Sequence, residues 1–302
     1  MRLVIAVGGN ALLQRGETPD ASVQLLHVRA AATALAPILN EHEVLLVHGN
    51  GPQVGLLALE SEHDTTLTRP YPLDALGAQT QGMVGYWLGQ ALTNAGVTRP
   101  VVTVVSQAVV ASDDPAFAHP DKLVGQVYTH KVALDRQEHQ GWQIAQDGVG
   151  WRRVVASPAP RRIVEQAVIG QLLSGGTAVI CGGGGGAPVI SDGDQLHGVE
   201  AVVDKDWTAA ILAIAVEADE LLVLTDVEAV MRDFGTPHAV PLHDVALADI
   251  ETSAFASGSM GPKVLACAHF RRTTGRPARI GALRDAARVL NGAAGTTIGG
   301  GP

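Results

Sequence analysis

The chain has 302 residues, of which 46% are hydrophobic and 17% charged, enough for one large domain or two lobes with a sizeable core. Its net charge of −9 excludes a general nucleic-acid or acidic-membrane surface, so an anionic ligand must be held by local groups. The apolar run at the N-terminus is too short for a signal peptide or a membrane span. Cys181 and Cys267 have no C-x-x-C spacing, and we expect a cytoplasmic protein without disulfides.

Apolar runs typical of buried strands alternate with helical patterns along most of the chain. The predicted strands are residues 3–7, 44–47, 101–105, 177–181, 221–224 and 278–281. Buried strands without polar alternation, separated by helices, predict an α/β fold with an open, mainly parallel sheet sandwiched by helices.

The helical patterns between these strands each predict a buried face. Between the first two strands, this face comprises Val23, Leu26, Ala30, Ala34 and Ile38. Before the third strand it comprises Leu76, Met83, Trp87 and Leu92. Asp74 is the candidate N-cap of this second helix, and Gly96 lies just past its end.

Residues 112–153 interrupt the alternation, because they are polar, rich in His, Asp and Gln, and show no clear sheet periodicity. About forty residues without structure are uncommon inside a compact domain. We therefore expect a small protruding subdomain that reaches over a site.

Three glycine-rich stretches each follow a predicted strand: VGGNAL at 7–12, HGNGPQVG at 48–55 and CGGGGGAP at 181–188. Ligands bind at the carboxyl ends of strands in open parallel sheets, and glycine allows close backbone approach there. In the second stretch, glycine followed by Pro52 predicts a helix start, whose backbone N–H groups suit an anion. The dinucleotide motif G-x-G-x-x-G and the P-loop motif do not fit. Tight turns without a ligand are the alternative.

Lysine is rare in this chain. The four lysines among 21 basic residues are Lys122, Lys131, Lys205 and Lys263. An ammonium group can follow a moving phosphoryl group better than the planar guanidinium of arginine. Lys205 lies between two aspartates at the start of a helical run, where Asp206 is a candidate N-cap. Lys131 has an ordinary helix-like surrounding, and four surface lysines are the alternative interpretation.

Motifs of other catalytic classes are missing from the sequence. Neither G-x-S-x-G nor H-E-x-x-H occurs, and the eleven histidines have no metal-ligand spacing. We therefore predict no dedicated metal site, and we interpret His48, at a strand end, as structural.

In their order along the chain, these segments resemble the amino acid kinase family, and within it the carbamate kinases. The likeness covers nearly the whole chain and is carried by AVGGNAL, HGNGPQVG, PLDALGAQTQGMVGYWLGQAL, WRRVVASPAP, CGGGGGAPVI, GVEAVVDKD, LLVLTDVEAV and GSMGPKV. Other branches typically have a lysine just before the first glycine loop, where this chain has Ala6. In carbamate kinases a lysine of the protruding subdomain supplies that charge, and Lys122 matches its position.

The resemblance implies reversible phosphoryl transfer between carbamoyl phosphate plus ADP and carbamate plus ATP. Such transfer mainly requires positioning and neutralisation of charge on the transferring group. The implied catalytic residues are Lys122, Lys205, Asp206 and Asp204, with the aspartates orienting Lys205. The implied substrate-binding backbone N–H groups are those of Gly8, Gly9, Asn10, Gly49, Asn50 and Gly51. The implied nucleotide-binding residues are Thr225, Asp226, Gly258, Ser259, Met260 and Lys263.

The resemblance also implies an organisation into two lobes. Residues 1–205, with the protruding subdomain, would bind carbamate or carbamoyl phosphate, and residues 206–302 would bind ATP or ADP. Mg²⁺ would be carried by the nucleotide phosphates. Carbamate kinases are generally dimers, and small residues surround Tyr86 in its predicted helix, so we expect a homodimer that buries roughly 1,600 Å².

Two alternatives remain open. One is a relative that phosphorylates another small carboxylate or a phosphonate, which Ala6 and Lys122 disfavour. The other is a non-catalytic nucleotide sensor, which the presence of Lys205 and Asp206 disfavours. Arginine metabolism, purine-derivative breakdown and carbamoyl phosphate supply are all compatible with the sequence.

Overall fold

The structure is a computed structural model and describes residues 1–9, 12–14, 16–252 and 260–300. The helices are α1 Ala21–Glu41, α2 Gly51–His63, α3 Leu73–Asn94, α4 His130–Gln140, α5 Gln166–Ser174, α6 Lys205–Ala215, α7 Leu247–Thr252, α8 Met260–Thr274 and α9 Ala286–Leu290. The strands are β1 Arg2–Val7, β2 Glu43–His48, β3 Val101–Thr103, β4 Gln107–Val110, β5 Lys122–Tyr128, β6 Gln143–Asp147, β7 Gly150–Val155, β8 Pro160–Ile163, β9 Ala178–Ile180, β10 Ala187–Asp192, β11 Gln195–Gly198, β12 Glu220–Thr225, β13 Val230–Arg232, β14 Val240–Leu242, β15 Asp244–Val245, β16 Ala278–Ala282 and β17 Thr296–Ile298.

A central eight-stranded sheet contains all six predicted strands. Its order is β15-β17-β16-β12-β1-β2-β9-β3, and every pair except β16–β17 is parallel. The predicted open, mainly parallel sheet is therefore confirmed. Because β1 lies between β2 and β12, the carboxyl ends of these three strands are neighbours, and the loops that follow them meet at one edge.

Helices cover both faces of this sheet, as the unbroken apolar strands predict. In β1, Leu3, Ile5 and Val7 pack in the layer formed with α1, α3 and α9. The alternate residues Val4 and Ala6 pack in the layer formed with α5, α6 and α8. All five side chains are fully buried. The core is thus two apolar layers on either side of one sheet.

The predicted buried face of α1 is only partly correct, because Ile38 is buried and Val23 and Ala34 are half-buried, but the other two residues are exposed. Leu26 is 64% exposed and Ala30 is also exposed, whereas Val28, Leu35 and Leu39 face the core. Alanines occur around the whole circumference of α1, so the spacing of apolar residues does not determine which face is buried. Among the residues described, α1 alone has the length and apolarity of a membrane span, but its buried side chains belong to the core layer of β1 and β2.

Both predicted N-caps are displaced toward the N-terminus. The N-cap of α3 is Pro72 rather than Asp74, and a Glu200 Oε2 atom accepts the Leu73 N–H at 2.9 Å in place of a local cap. The N-cap of α6 is Asp204 rather than Asp206. In both helices the aspartate predicted as the cap lies in the first turn, where its charge is favourable to the helix dipole.

The segment 112–153 contains an ordered antiparallel sheet, β5-β7-β6, with α4 packed against it. The strands lack a recognisable period because their faces are only half-buried. This small sheet packs on α2 and α3 through an apolar cluster comprising Val54, Leu73, Leu76, Val124 and Val155. A second sheet, β11-β10-β4-β8, and the hairpin β13–β14 complete the fold.

Candidate active site

The three glycine loops meet at the carboxyl edge of the central sheet. A Cβ atom on Gly49 would lie 2.5 Å from the Gly9 nitrogen, so the first two loops contact each other through their backbones. A Cβ atom on Gly184 would lie 2.1 Å from the Asn50 Nδ2 atom, so the third loop contacts the second. Gly184 also has a φ of +61°, which favours glycine. The glycines make room for this three-way contact.

Two of the proposed backbone donors are used inside the fold. The Gly8 N–H donates to the Leu224 carbonyl at 2.8 Å, and the Gly49 N–H donates to the Val7 carbonyl at 2.9 Å. This corrects the expectation that these two groups point at a ligand, because the strand-end hydrogen bonds continue one residue into each loop. The proposed donors that remain are Gly9, Asn50 and Gly51. Asn10 lies outside the described residues.

Polar side chains buried behind the loops hold them in place. The Asn50 Nδ2 atom donates to the Thr80 Oγ1 atom at 2.7 Å, and both residues are buried. His48 is also buried, and its Nδ1 atom lies 2.9 Å from the Gly49 carbonyl oxygen. Burial lowers the pKa of His48 to about 4, so the ring is neutral near pH 7 and Nδ1 is assigned as the donor. This is the structural role predicted for His48.

No motif in the sequence indicates a role for three of these supporting residues, Thr80, Gln81 and Ser106. The Gln81 Oε1 atom accepts from the Ser106 backbone N–H at 2.9 Å, and the Ser106 Oγ atom accepts the Gly182 N–H at 2.7 Å. Thr80 and Gln81 interrupt the apolar stripe of α3 at positions that face the core. That interruption was the available signal, because a buried polar side chain needs a partner.

The two lysines predicted to be catalytic, Lys122 and Lys205, form one network with Lys263 and the two aspartates. Asp206, which is 2% exposed, accepts from Lys205 through Oδ1 and from Lys263 through Oδ2, the latter at 2.9 Å. Lys122, from the protruding subdomain, donates to the Asp204 Oδ2 atom at 2.8 Å. The network therefore combines three ammonium groups with two carboxylates. Lys205 and Asp206 belong to α6, Lys263 to α8 and Lys122 to β5, and Asp204 is the N-cap of α6. Their net charge of +1 suits a polyanionic ligand.

The two lysines on Asp206 have pKa values shifted in opposite directions. Burial lowers the pKa of Lys205; Asp206 opposes this shift, and repulsion from Lys263 adds to it. For Lys263, burial also acts to lower the pKa, but the attraction of Asp206, Asp204 and Asp226 outweighs it and the pKa is raised. Lys205 is therefore the member of the pair whose charged form the fold stabilises less.

Asp204 is ionised in this network. Burial acts to raise its pKa, but the ammonium groups of Lys122 and Lys205 outweigh burial and hold the pKa well below its usual range. The side chain of Asp204 accepts a hydrogen bond from Lys122. Asp206 is therefore the carboxylate that is hydrogen-bonded to Lys205, whereas Asp204 acts on Lys205 through its charge.

Of the proposed nucleotide-binding residues, Thr225 and Asp226 lie beside the same edge. Thr225 ends β12, and its Oγ1 atom donates to the Asp226 Oδ1 atom at 2.9 Å. A Cβ atom on Gly8 would lie 3.5 Å from the Thr225 Oγ1 atom, which places Thr225 against the first glycine loop. Met260 and Lys263 lie in the first turns of α8. Gly258 and Ser259 lie outside the described residues.

Within the described parts of the chain, no group of three His, Cys, Asp or Glu side chains is arranged to hold a metal ion. Asp204 is ion-paired with Lys122, and Asp206 is ion-paired with Lys205 and Lys263. These contacts favour a metal ion that arrives on a ligand over one held by a carboxylate cage. Both cysteines are buried, and burial raises the pKa of each thiol, so neither is suited to act as a thiolate.

A second buried charge cluster joins the subdomain to the body. Glu62 of α2 is ion-paired with Arg136 at 3.4 Å, and Arg153 lies 3.9 Å from its other carboxylate oxygen. Both guanidinium groups lie over the ring of Trp142. Arg153 also pairs at 2.9 Å with Glu200, whose second oxygen accepts the α3 N-terminal amide. The subdomain is therefore fastened to α2 and, through Glu200, to the start of α3.

Comparisons with known proteins agree on one group. The amino acid kinase family model matches residues 1–282. A carbamate kinase of Rhizobium meliloti is 47% identical over 99% of this chain and 93% of its own length. A carbamate kinase of Escherichia coli K12 is 46% identical over 98% of each chain. The structure of the Giardia lamblia carbamate kinase bound to AMP-PNP superposes with a TM-score of 0.90, at 38% identity and 98% coverage of both chains.

Proposed function

The chain belongs to the amino acid kinase family, and from that premise we propose that it is a carbamate kinase, an ATP:carbamate phosphotransferase. It transfers a phosphoryl group reversibly between carbamoyl phosphate plus ADP and carbamate plus ATP. The observation that carries the proposal is the contact of Lys122 with Asp204, which brings a cation from the protruding subdomain into the Lys205–Asp206–Lys263 network. This chain has Ala6 where other branches of the family have a lysine, so the positive charge must come from another residue.

The proposed chemistry is charge neutralisation at a site assembled before the reaction. The amides of Gly9, Asn50 and Gly51, with Asn10, hold the carbamoyl group and the transferring phosphoryl group. The Lys122 and Lys205 ammonium groups balance the negative charge that spreads over the phosphoryl oxygens in the transition state. Asp206 keeps Lys205 and Lys263 at fixed positions, since its two oxygens contact one lysine each.

The nucleotide is proposed to bind along α8 and the end of β12. Lys263 lies nearest the nucleotide phosphates, and Thr225, Asp226 and residues 258–260 hold the remainder. Mg²⁺ enters as part of the nucleotide substrate, because the nearby carboxylates of Asp204 and Asp206 already bind lysines. We propose residues 1–205 as the carbamate lobe, with the 112–153 subdomain above it, and residues 206–302 as the nucleotide lobe.

A homodimer and a cytoplasmic location are further parts of the proposal. Tyr86 is 60% exposed on α3, and β3 is an edge strand of the central sheet with its outer side unpaired in the described structure. An aromatic side chain beside an open sheet edge supports association of two copies there. Light scattering at micromolar concentration tests the dimer, and a monomer mass would contradict it.

The proposed activity is tested by following ATP formation from carbamoyl phosphate and ADP in a coupled assay. The expected result is saturable turnover that depends on both substrates and on Mg²⁺. Acetate and a phosphonate are the comparison acceptors, assayed beside carbamate in the direction of ADP formation from ATP, and a higher kcat/KM for either would show that the site serves another acid. Binding of ADP without turnover of any of the three would show a nucleotide sensor.

A further inference from the structure

The two carboxylate oxygens of Asp204 have separate partners. Oδ1 accepts the backbone N–H groups of Asp206 at 2.9 Å and of Trp207 at 3.3 Å, and so caps α6. Oδ2 accepts from the Lys122 Nζ atom at 2.8 Å, across a separation of 82 residues. One side chain thus joins the helix that carries Lys205 to the subdomain that carries Lys122.

Helix capping does not by itself explain an aspartate at this position. Ser, Thr and Asn cap helices about as well as Asp, because a cap needs only one oxygen acceptor. The negative charge is used by the second oxygen, where it faces an ammonium group. Lys122 is a long side chain, about one-third exposed, and without a fixed partner it would sample many rotamers.

We propose that Asp204 is a positioning residue that holds Lys122 in register with the N-terminus of α6, ready for the transferring phosphoryl group. This inference rests on the proposed function, since it assigns Lys122 to that group. Asp204 limits the motion of the ammonium before substrate arrives, and the phosphoryl oxygens then share the ammonium with the carboxylate. The Lys122 ammonium group is therefore already in position when the transition state forms, which is the benefit of a preorganised site.

The test variant is Asp204→Asn, which keeps an oxygen for the helix cap but presents an amide N–H donor to Lys122. We expect kcat, measured well below the unfolding temperature, to fall about 10- to 100-fold with the KM for ADP nearly unchanged. The midpoint of thermal unfolding should fall as well, because the lowered pKa of Asp204 means that its charge also stabilises the fold. The matched control is Asp121→Asn, which removes the charge of an exposed aspartate next to Lys122 and should leave kcat unchanged. An unchanged or increased kcat in Asp204→Asn would overturn the proposal.

A double mutant separates positioning from a structural role. In the Lys122→Ala background, Asp204→Asn should lower kcat by less than about twofold, because the residue it positions is already absent. A full additional loss in that background would show that Asp204 acts through α6 instead, and would also overturn the proposal.

Hydrogen exchange gives a measurement that does not depend on turnover. Without substrate, the amides of residues 122–125 should exchange about fivefold faster in Asp204→Asn than in the wild type. In Asp121→Asn their exchange rates should equal those of the wild type. If the wild type fails to form ATP but this difference is seen, the carbamate kinase activity is wrong and the Lys122–Asp204 link stands. If ATP is formed but neither kcat nor exchange responds to Asp204→Asn, only the positioning role is wrong.

Discussion

Gly55 and Gly125 are in backbone contact where the 112–153 subdomain meets α2. A Cβ atom on Gly55 would lie 2.8 Å from the Gly125 Cα atom, and Gly125 has a φ of +72°. Gly125 is three residues beyond Lys122 on the same strand, β5. The close approach of α2 to β5 at these two glycines therefore fixes the position of the strand that carries the Lys122 side chain.

Gly55→Ala should displace β5, because the clashing atom is backbone and cannot rotate away. We expect kcat for ATP formation to fall about tenfold, as a shift of 1 Å in a catalytic group can do, while the KM for ADP changes little. The control is Gly170→Ala in α5, where a Cβ atom meets nothing within 4 Å and alanine favours the helix. Equal kcat values for the two variants would contradict the proposed importance of this contact.

Lys122→Ala should lower kcat by two to four powers of ten, about 3–5 kcal/mol of transition-state stabilisation. ADP affinity, measured by calorimetry, should barely change because the nucleotide is proposed to bind near α8. Lys122→Arg should restore little activity, since a planar fork cannot replace the ammonium. The exposed Lys131 on α4 is the matched control, and a similar loss in Lys131→Ala would refute the assignment.

Asp206→Asn should destabilise the fold as well as abolish activity. The substitution leaves Lys205 and Lys263 buried beside each other without the carboxylate that bonds both of them, a loss worth about 3 kcal/mol for a broken buried pair. Urea unfolding at pH 7 measures this, with the exposed Asp192→Asn as the control. Because deprotonation of a lysine relieves the repulsion, the deficit should shrink as the pH rises toward 10. A deficit that is independent of pH would contradict this explanation.

The buried ring of His48 makes stability depend on pH. Its pKa is lowered by burial from the ordinary 6.5 to about 4, so the folded protein binds fewer protons than the unfolded chain between these values. The contribution of the neutral His48 ring to the free energy of unfolding is complete above pH 6.5. It is lost as the pH falls toward 4, by about 3 kcal/mol at most. In His48→Asn, the decline in unfolding free energy between pH 7 and pH 4.5 should be smaller than in the wild type. An unchanged decline would show that other groups cause it.

The sequence was most informative where local chemistry determines the structure. Unbroken apolar runs predict the strands of the central sheet, and the glycine stretches predict the loops at its edge. Helix faces were harder to predict, because the alanines of α1 leave its orientation to the tertiary packing. The contacts of Asn50 with Thr80 and of Lys122 with Asp204 join residues 30 and 82 positions apart, and no local pattern specifies such pairs.

Lys122, the first residue of β5, pairs with Val155, the last residue of β7. Gly150 and the exposed Val149 lie at the opposite end of β7, at the turn that joins it to β6. Lys122 thus lies at the neck of the subdomain, about 20 Å from its tip at the usual rise per residue of a strand. In a rigid rotation about the neck, each atom moves in proportion to its distance from the axis. The lever arm of Lys122 is short, so any small rotation about the neck displaces its ammonium group far less than the tip.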